Sequence, residues 1–205
     1  MAARAKGHPV FAALYDTNLW PRRWSALWRR RAALVSEAEG RVLDLGVGNG
    51  LNFECFRRAA FAVGVDPDPF MLRRARPRLA AAAVRTAIIR GPAEALPFPA
   101  GTFDTVLATF VLCTVQDPDA ALREARRVLR PGGALRFLEH VRARSPRWAM
   151  WQDRITPLWS RLFAGCHPNR DTLAAIRAQG FTVEALTTTG RGVLIQGVAR
   201  SGGIA

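Results

Sequence analysis

Lysine, tyrosine, cysteine and acidic residues are all scarce in this 205-residue chain. Lys6 is the single lysine and Tyr15 the single tyrosine, so nearly all positive charge is arginine. The three cysteines, Cys55, Cys113 and Cys166, are scattered and odd in number, with no CxxC pair. That pattern excludes a disulfide framework and a sequence-local zinc knuckle, and it points to a reducing compartment. No apolar run approaches a membrane span, and the N-terminal residues lack the apolar stretch and cleavage site of a signal peptide, so the expected location is the cytoplasm. Sixteen Asp and Glu against 30 Lys and Arg leave a net charge of +14. The excess is distributed along the chain, which excludes a basic tail.

What is present is the material of one globular domain: 49% hydrophobic and 22% charged residues over 22.5 kDa. The arginine excess admits nucleic acid, an anionic membrane surface or acidic small molecules as partners, beside the plain reading of solvated arginine-rich faces.

Along the chain, residues 1–40 read as one or two helices with Trp20, Trp24 and Trp28 spaced i, i+4, i+8 among arginines. From Arg41, RVLDLGVGNG predicts a buried strand, a tight glycine turn and a helix. FAVGVD is a second strand closed by an acid, Pro69 to Leu79 is helical, TAIIR is a third strand and TFDTVLATFVL a fourth. PDAALREARRVL puts Ala121, Leu122, Ala125, Val128 and Leu129 on one helical face, and PGG precedes a fifth strand, ALRFLEHV. Residues 147–163 form an aromatic helical segment expected to break near Pro157, and 171–179 another helix. FTVEALTTT and GVLIQGVAR, separated by Gly190, Arg191 and Gly192, read as an antiparallel hairpin at the sheet edge. The alternation predicts an α/β fold: a doubly wound, Rossmann-like seven-stranded sheet with a C-terminal antiparallel hairpin.

In such a sheet the ligand sits beyond the carboxyl ends of the strands. The first strand ends in Gly46-Val47-Gly48-Asn49-Gly50, whose glycines admit close backbone approach and whose following amides offer donors. The third glycine falls one residue early for a dinucleotide loop, where Leu51 stands. Asp66, ending the second strand, is placed to accept both hydroxyls of a ribose.

LDLGVGNG, Asp66, GPAEALPF and RVLRPGG resemble the motifs of class I S-adenosylmethionine-dependent methyltransferases, over roughly Arg41 to Val141. The resemblance implies S-adenosyl-L-methionine as cofactor. It also implies Gly46 and Gly48 under its methionine part, Asp66 on its ribose, Ala93 and Glu94 beside its adenine, and Thr109 near its amino group. Asp44, Asn49, Gly50, Asn52 and Pro67 complete the set so implied. In the family the adenine motif usually reads Gly-Asp-Ala-Glu; here Pro92 stands for the aspartate, leaving Glu94 as a compensating ligand or a solvated loop acid. FVLCTV, FLEHV, GCHPNRDT and LIQGVAR are further similar to the thiol S-methyltransferases of the methyltransferase-like group and their bacterial relatives. Quinone-ring C-methyltransferases share the cofactor motifs but not GCHPNRDT.

The resemblance implies methyl transfer to a small lipophilic acceptor, a thiol first. O-, N- or C-methylation of a quinone or lipid, and a cofactor-binding protein without catalysis, are the alternatives. His140, at the end of the fifth strand, is the first candidate for a polar acceptor contact or base, with Tyr15 beside it as a catalytic candidate; a loop-orienting histidine is the alternative. Glu139 falls on the opposite face of a regular strand. Arg170 either attracts an anionic nucleophile or caps a surface loop. Cys166 and His167 are adjacent rather than at metal spacing, so no metal is expected, and Cys113 is expected to pack. Residues 1–40 are expected as a helical lid over the cofactor, with membrane docking or packing on the sheet's flank as alternatives, and 41–205 as the catalytic domain. Within it, 146–180 is the substrate-side cover, its apolar inner wall built from Met150, Trp151, Ile155 and Trp159. No NPPY-like tetrapeptide follows the fourth strand, where TFVL stands, so nucleic acid is disfavoured as a partner. Peripheral membrane contact stays open, and nothing in the sequence bears on the oligomeric state.

Overall fold

The computed structural model describes residues 7–17 and 25–202, the side chains of 14–17 excepted. Its strands are β1 (Glu39–Leu45), β2 (Arg58–Asp66), β3 (Arg85–Arg90), β4 (Phe103–Thr109), β5 (Leu129–His140), β6 (Phe181–Thr189) and β7 (Leu194–Ser201). Its helices are α1 (Pro9–Thr17), α2 (Ala26–Ser36), α3 (Pro69–Ala80), α4 (Pro118–Val128), α5 (Pro146–Leu162) and α6 (Thr172–Ala178).

The strands form one sheet in the order β3-β2-β1-β4-β5-β7-β6. β1 to β5 run parallel, and β7 lies antiparallel between β5 and the edge strand β6, as expected of the hairpin. Strand order reverses between β1 and β4, which opens a crevice at their carboxyl ends.

The sheet is buried on both faces. Val42, Ala62 and Leu107 pack with Val35 of α2, Leu72 and Ala75 of α3, Phe53 and Phe56 on one side. Leu43, Val63, Val106 and Phe137 pack with Leu122 and Ala125 of α4 and Ile176 of α6 on the other. Two helices start on an Asp-Pro pair: Asp68 accepts from the Phe70 amide and Asp117 from that of Ala120, while the proline occupies a position whose amide would have no partner.

Four elements depart from expectation in ways that shape the site and its surroundings. The helix after β1 is only a four-residue 3-10 turn, Leu51–Glu54, because Gly50 is left-handed (φ 82°) and Phe53 must reach the core. β4 ends at Thr109, since Phe110 turns to φ 58° and the next amides leave the sheet. β5 begins at Leu129 and carries a bulge, its pairing with β4 jumping from Leu129 to Ala134. α5 runs unbroken through Pro157; the proline removes one helical bond, while buried Gln152 anchors the helix by donating to the carbonyls of Val141 and Pro168 and accepting from the Ala143 amide.

α1 rests on α3, with the His8 amide donating to Asp68. Trp28 of α2 is half-buried against the core, whereas Trp20 and Trp24 lie outside the described residues.

Candidate functional site

The crevice is floored by the loop after β1. A Cβ on Gly46 would strike the Val111 side chain, so this glycine is required by the close approach of the two loops at the crevice. A Cβ on Gly48 would meet nothing nearer than the Gly46 carbonyl at 3.9 Å. The space above Gly48 is therefore open, although its φ of 55° already favours glycine. Asn49 is buried, and its carbonyl accepts from Arg78.

Asp66 lies beside this loop. Its Oδ2 accepts from the Gly48 amide at 2.9 Å and its Oδ1 from the Asp68 amide at 2.8 Å, so the carboxylate is held in place with lone pairs to spare. Burial pushes its pKa up to about 6 against the opposing pull of those two amides. Pro67 follows, half-buried, its carbonyl accepting from Arg90.

A second acid sits under the loop. Asp44 is fully buried; Oδ1 accepts from Asn52 Nδ2 at 2.8 Å, while Oδ2 has no hydrogen-bond partner among the described residues. Burial pushes this pKa up to about 7, against the Asn52 bond and the Arg31 charge. Asn52 Nδ2 also donates to Thr109 Oγ1, and Arg31 Nη1 donates to Asn52 Oδ1 at 2.6 Å and to Thr109 Oγ1 at 3.0 Å. The Asp44, Asn52 and Thr109 expected at the cofactor are thus one network, closed by a residue the sequence reading did not select. Arg31 is 4% exposed. It falls three residues after Trp28 and four before Val35, and an arginine in that apolar stripe was the available signal.

At the exit of β4, Phe110 adopts the left-handed conformation, strained for an aromatic residue. Its ring lies 4.8 Å from that of His140 and beneath the Arg31 guanidinium at 5.5 Å. The turn is pinned by Glu139, fully buried, whose carboxylate accepts from the amides of Val111, Leu112 and Cys113 at 2.9, 3.0 and 3.3 Å. Burial raises the Glu139 pKa to about 7 even so. Arg170 grips the same turn by donating to the carbonyls of Leu112 and Val115, a loop-capping role at a part-buried position.

His140 is half-buried. Its Nδ1 lies 4.0 Å from Cys113 Sγ and 3.9 Å from Cys166 Sγ, and the two sulfurs are 3.6 Å apart. Cys166 therefore meets His140 rather than its neighbour His167, whose Nδ1 faces the Gly165 carbonyl.

On the adenine side, Ala93 is buried. Glu94 is no free loop acid: it accepts from the amides of Gln116 and Asp117 at the start of α4. Tyr15 falls within α1, its side chain outside the described residues. The expected inner wall of α5 is only half realised: Ile155 and Trp159 are half-buried, whereas Met150 and Trp151 are each 53% exposed. They stand on the outer face, with Trp148, Leu158 and Leu162.

Residues 43–137 match the family model described as a methyltransferase domain. The chain is 33% identical over 146 residues to the thiol S-methyltransferase TMT1A of Homo sapiens, covering 69% of this chain and 59% of that protein. It is 37% identical over 150 residues to the demethylmenaquinone methyltransferase of Roseiflexus castenholzii, covering 69% and 61%. It thus spans about three fifths of the length of these curated relatives. Among solved structures, an S-adenosylmethionine-dependent methyltransferase from Mesorhizobium loti shares the fold with a TM-score of 0.67 at 21% identity, over 86% of this chain and 98% of that one. With its glycine loop, the acid ending β2 and the sheet order that sets them side by side, the chain belongs to the class I S-adenosylmethionine-dependent methyltransferases.

Proposed function

We propose that this protein transfers the methyl group of S-adenosylmethionine to a small lipophilic acceptor, with a thiol as the preferred class. The observation that carries the reading is the open space above Gly48, whose amide Asp66 holds, together with buried Asp44, which feels the Asp66 charge and keeps one oxygen without a partner among the described residues. An anionic acceptor in that position suits an ammonium group, and a pinned carboxylate beside it suits a pair of ribose hydroxyls.

When bound, the cofactor supplies an electrophilic sulfonium methyl for in-line displacement. On this reading Asp66 accepts from the ribose, Asp44 from the ammonium, and Thr109 and Asn52 hold Asp44 in position. Gly46, Gly48, Asn49 and Gly50 give backbone room, the Gly48 amide being committed to Asp66 and the Gly50 amide to the Val47 carbonyl, while Pro67, Ala93 and Glu94 border the adenine. Of the expected lid 1–40, in which residues 1–6 and 18–24 lie outside the described ones, α1 and α2 shield the site from water; in support, α2 inserts Arg31 into the network and α1 rests on α3. His140 and Tyr15 are the polar contacts of the acceptor.

A thiol with an ordinary pKa of about 8.5 is a few per cent thiolate at pH 7 and needs little base assistance, unlike an oxygen or carbon acid. The thiol S-methyltransferase relative supports this choice, and the demethylmenaquinone relative supports a quinone as the alternative. The test is methyl transfer from labelled S-adenosylmethionine to panels of small thiols, phenols and quinones. Methylated thiols support the reading. Turnover confined to phenols or quinones overturns the thiol, and failure to bind the cofactor overturns the activity.

A second reading concerns location. Trp148, Trp151, Leu158 and Leu162 make an exposed apolar stripe on α5, flanked by Arg147, Arg154 and Arg161, and Arg191 lies over the Trp148 ring. Tryptophan with arginine suits an anionic lipid interface. Cosedimentation with phosphatidylserine vesicles that falls in W148A/W151A supports peripheral contact through this helix; equal partitioning of the variant overturns it.

A further inference from the structure

Cys113, His140 and Cys166 come from three separate segments: the turn after β4, the end of β5, and the loop between α5 and α6. Among the described residues, they are the one group of three or more His, Cys, Asp or Glu side chains whose ligating atoms cluster closely enough to hold a metal ion. Neither the cofactor nor the acceptor reading accounts for two thiols and an imidazole nitrogen facing one another in a largely buried position.

The spacing is that of coordination. For a tetrahedral ion with metal–sulfur bonds of about 2.3 Å and metal–nitrogen bonds of about 2.0–2.1 Å, the sulfurs stand about 3.8 Å apart and each sulfur about 3.6 Å from the nitrogen. The structure has 3.6 Å between the sulfurs, and 4.0 and 3.9 Å from them to His140 Nδ1. Each edge is within about half an ångström of the ideal figure. A disulfide fits less well, because its sulfurs would have to close to about 2.05 Å and the imidazole would be left without a role.

We propose that Cys113 Sγ, Cys166 Sγ and His140 Nδ1 form a binding site for one zinc-class divalent ion. Two thiolates and an imidazole are the soft and borderline donors that favour such an ion over magnesium or calcium. Binding releases the two thiol protons to solvent and leaves two thiolates against a dication, a neutral group that burial tolerates. His140 coordinates through Nδ1 and keeps its proton on Nε2, free to donate to an acceptor. The indole N–H of Trp159 is buried, has no oxygen or nitrogen acceptor among the described residues and faces Cys166, where a metal-bound thiolate would accept it. Three protein ligands leave one exchangeable position, as in catalytic rather than closed structural zinc sites. The ion would also add to the bonds by which Gln152 and Arg170 tie the α5–α6 region to the end of β5 and the turn after β4.

The test uses the full chain, reduced and stripped with chelator, without cofactor or acceptor. Equilibrium dialysis should load one Zn(II) per chain, and Co(II) should give thiolate-to-cobalt charge-transfer absorption with the strong visible bands of tetrahedral geometry. C166S should lose the charge-transfer contribution of one thiolate, and H140A should weaken binding by about tenfold or more, with circular dichroism melts showing that both variants fold. Cys113 is buried to 1% exposure, so C113S is reserved for confirmation. No uptake by fully reduced protein overturns the proposal, as does uptake indifferent to both C166S and H140A. Because the metal alone is the probe, failure here leaves the methyl-transfer reading standing, and failure to bind the cofactor leaves the metal site standing.

Discussion

Cofactor binding should weaken steeply with acid, because both carboxylates assigned to it are poised near neutrality. Asp44 lies at about 7 and Asp66 at about 6, each raised by burial. If only the ionised forms accept from the ammonium and the ribose, each carboxylate that becomes protonated removes the acceptor it offers. Between pH 7 and pH 5 the ionised fraction falls about 50-fold for a group at 7 and about tenfold for a group at 6. The product is a loss of affinity of about 500-fold, or about 3.7 kcal/mol. S-adenosylhomocysteine is the ligand to use, since it binds without turnover and its α-amino group stays cationic over that range. Calorimetric titration at pH 7, 6 and 5 should show Kd rising by that order in the wild type. The rise should be about tenfold in D44N, where Asp66 alone titrates, and about 50-fold in D66N, where Asp44 alone does. An affinity that is flat from pH 7 to pH 5, or variants that keep the full wild-type slope, would refute the assignment of both acids.

The free protein should respond to pH in the opposite sense. Asp44, Asp66 and Glu139 all have folded pKa values above their unfolded ones, so the native state binds more protons; their contribution is fully present below about pH 4 and is lost as pH rises through 6 to 7. Thermal melts should give a lower midpoint at pH 8 than at pH 5.5, and D44N should shrink the difference. Gly46→Ala should destabilise through both its left-handed backbone and the clash with Val111. Gly48→Ala should cost only about 1–2 kcal/mol of backbone strain while filling the open space and cutting cofactor affinity; equal stability losses in the two would contradict the geometry. Arg31→Met should cost about 3 kcal/mol, through two lost bonds and an unneutralised Asp44, and should raise the pH at which cofactor binding is half lost; an unchanged pH profile would remove Arg31 from the site. Glu139→Gln, melted at pH 8, should lower the midpoint by about 3–10 °C, because its amide NH₂ would face the Cys113 N–H; an unchanged midpoint would mean that Glu139 does not pin the turn.

Local chemistry alone determined much of this protein. The parallel core, the C-terminal hairpin, the glycine loop and Asp66 at the end of β2 were legible because apolar periodicity and glycine spacing act over a few residues. The family resemblance also pointed to Asp44, Asn52 and Thr109, although the bonds that join them span up to 57 positions. What only the tertiary structure decided depends on long-range closure. Arg31 reads as one of several arginines around a tryptophan stripe until α2 docks and its guanidinium meets Thr109, 78 positions away. Glu139 reads as a strand residue facing away from the site, yet the turn of Phe110 brings three amides onto its carboxylate. Met150 and Trp151 read as an inner wall, but the face of α5 that carries Gln152 and Thr156 is the one drawn inward, which leaves them outside. Cys113, His140 and Cys166 show no metal spacing because 27 and 26 positions separate them. A side chain's role passes to the fold when its partners arrive from other strands and loops, since sequence periodicity reports which face is buried and not what that face will meet.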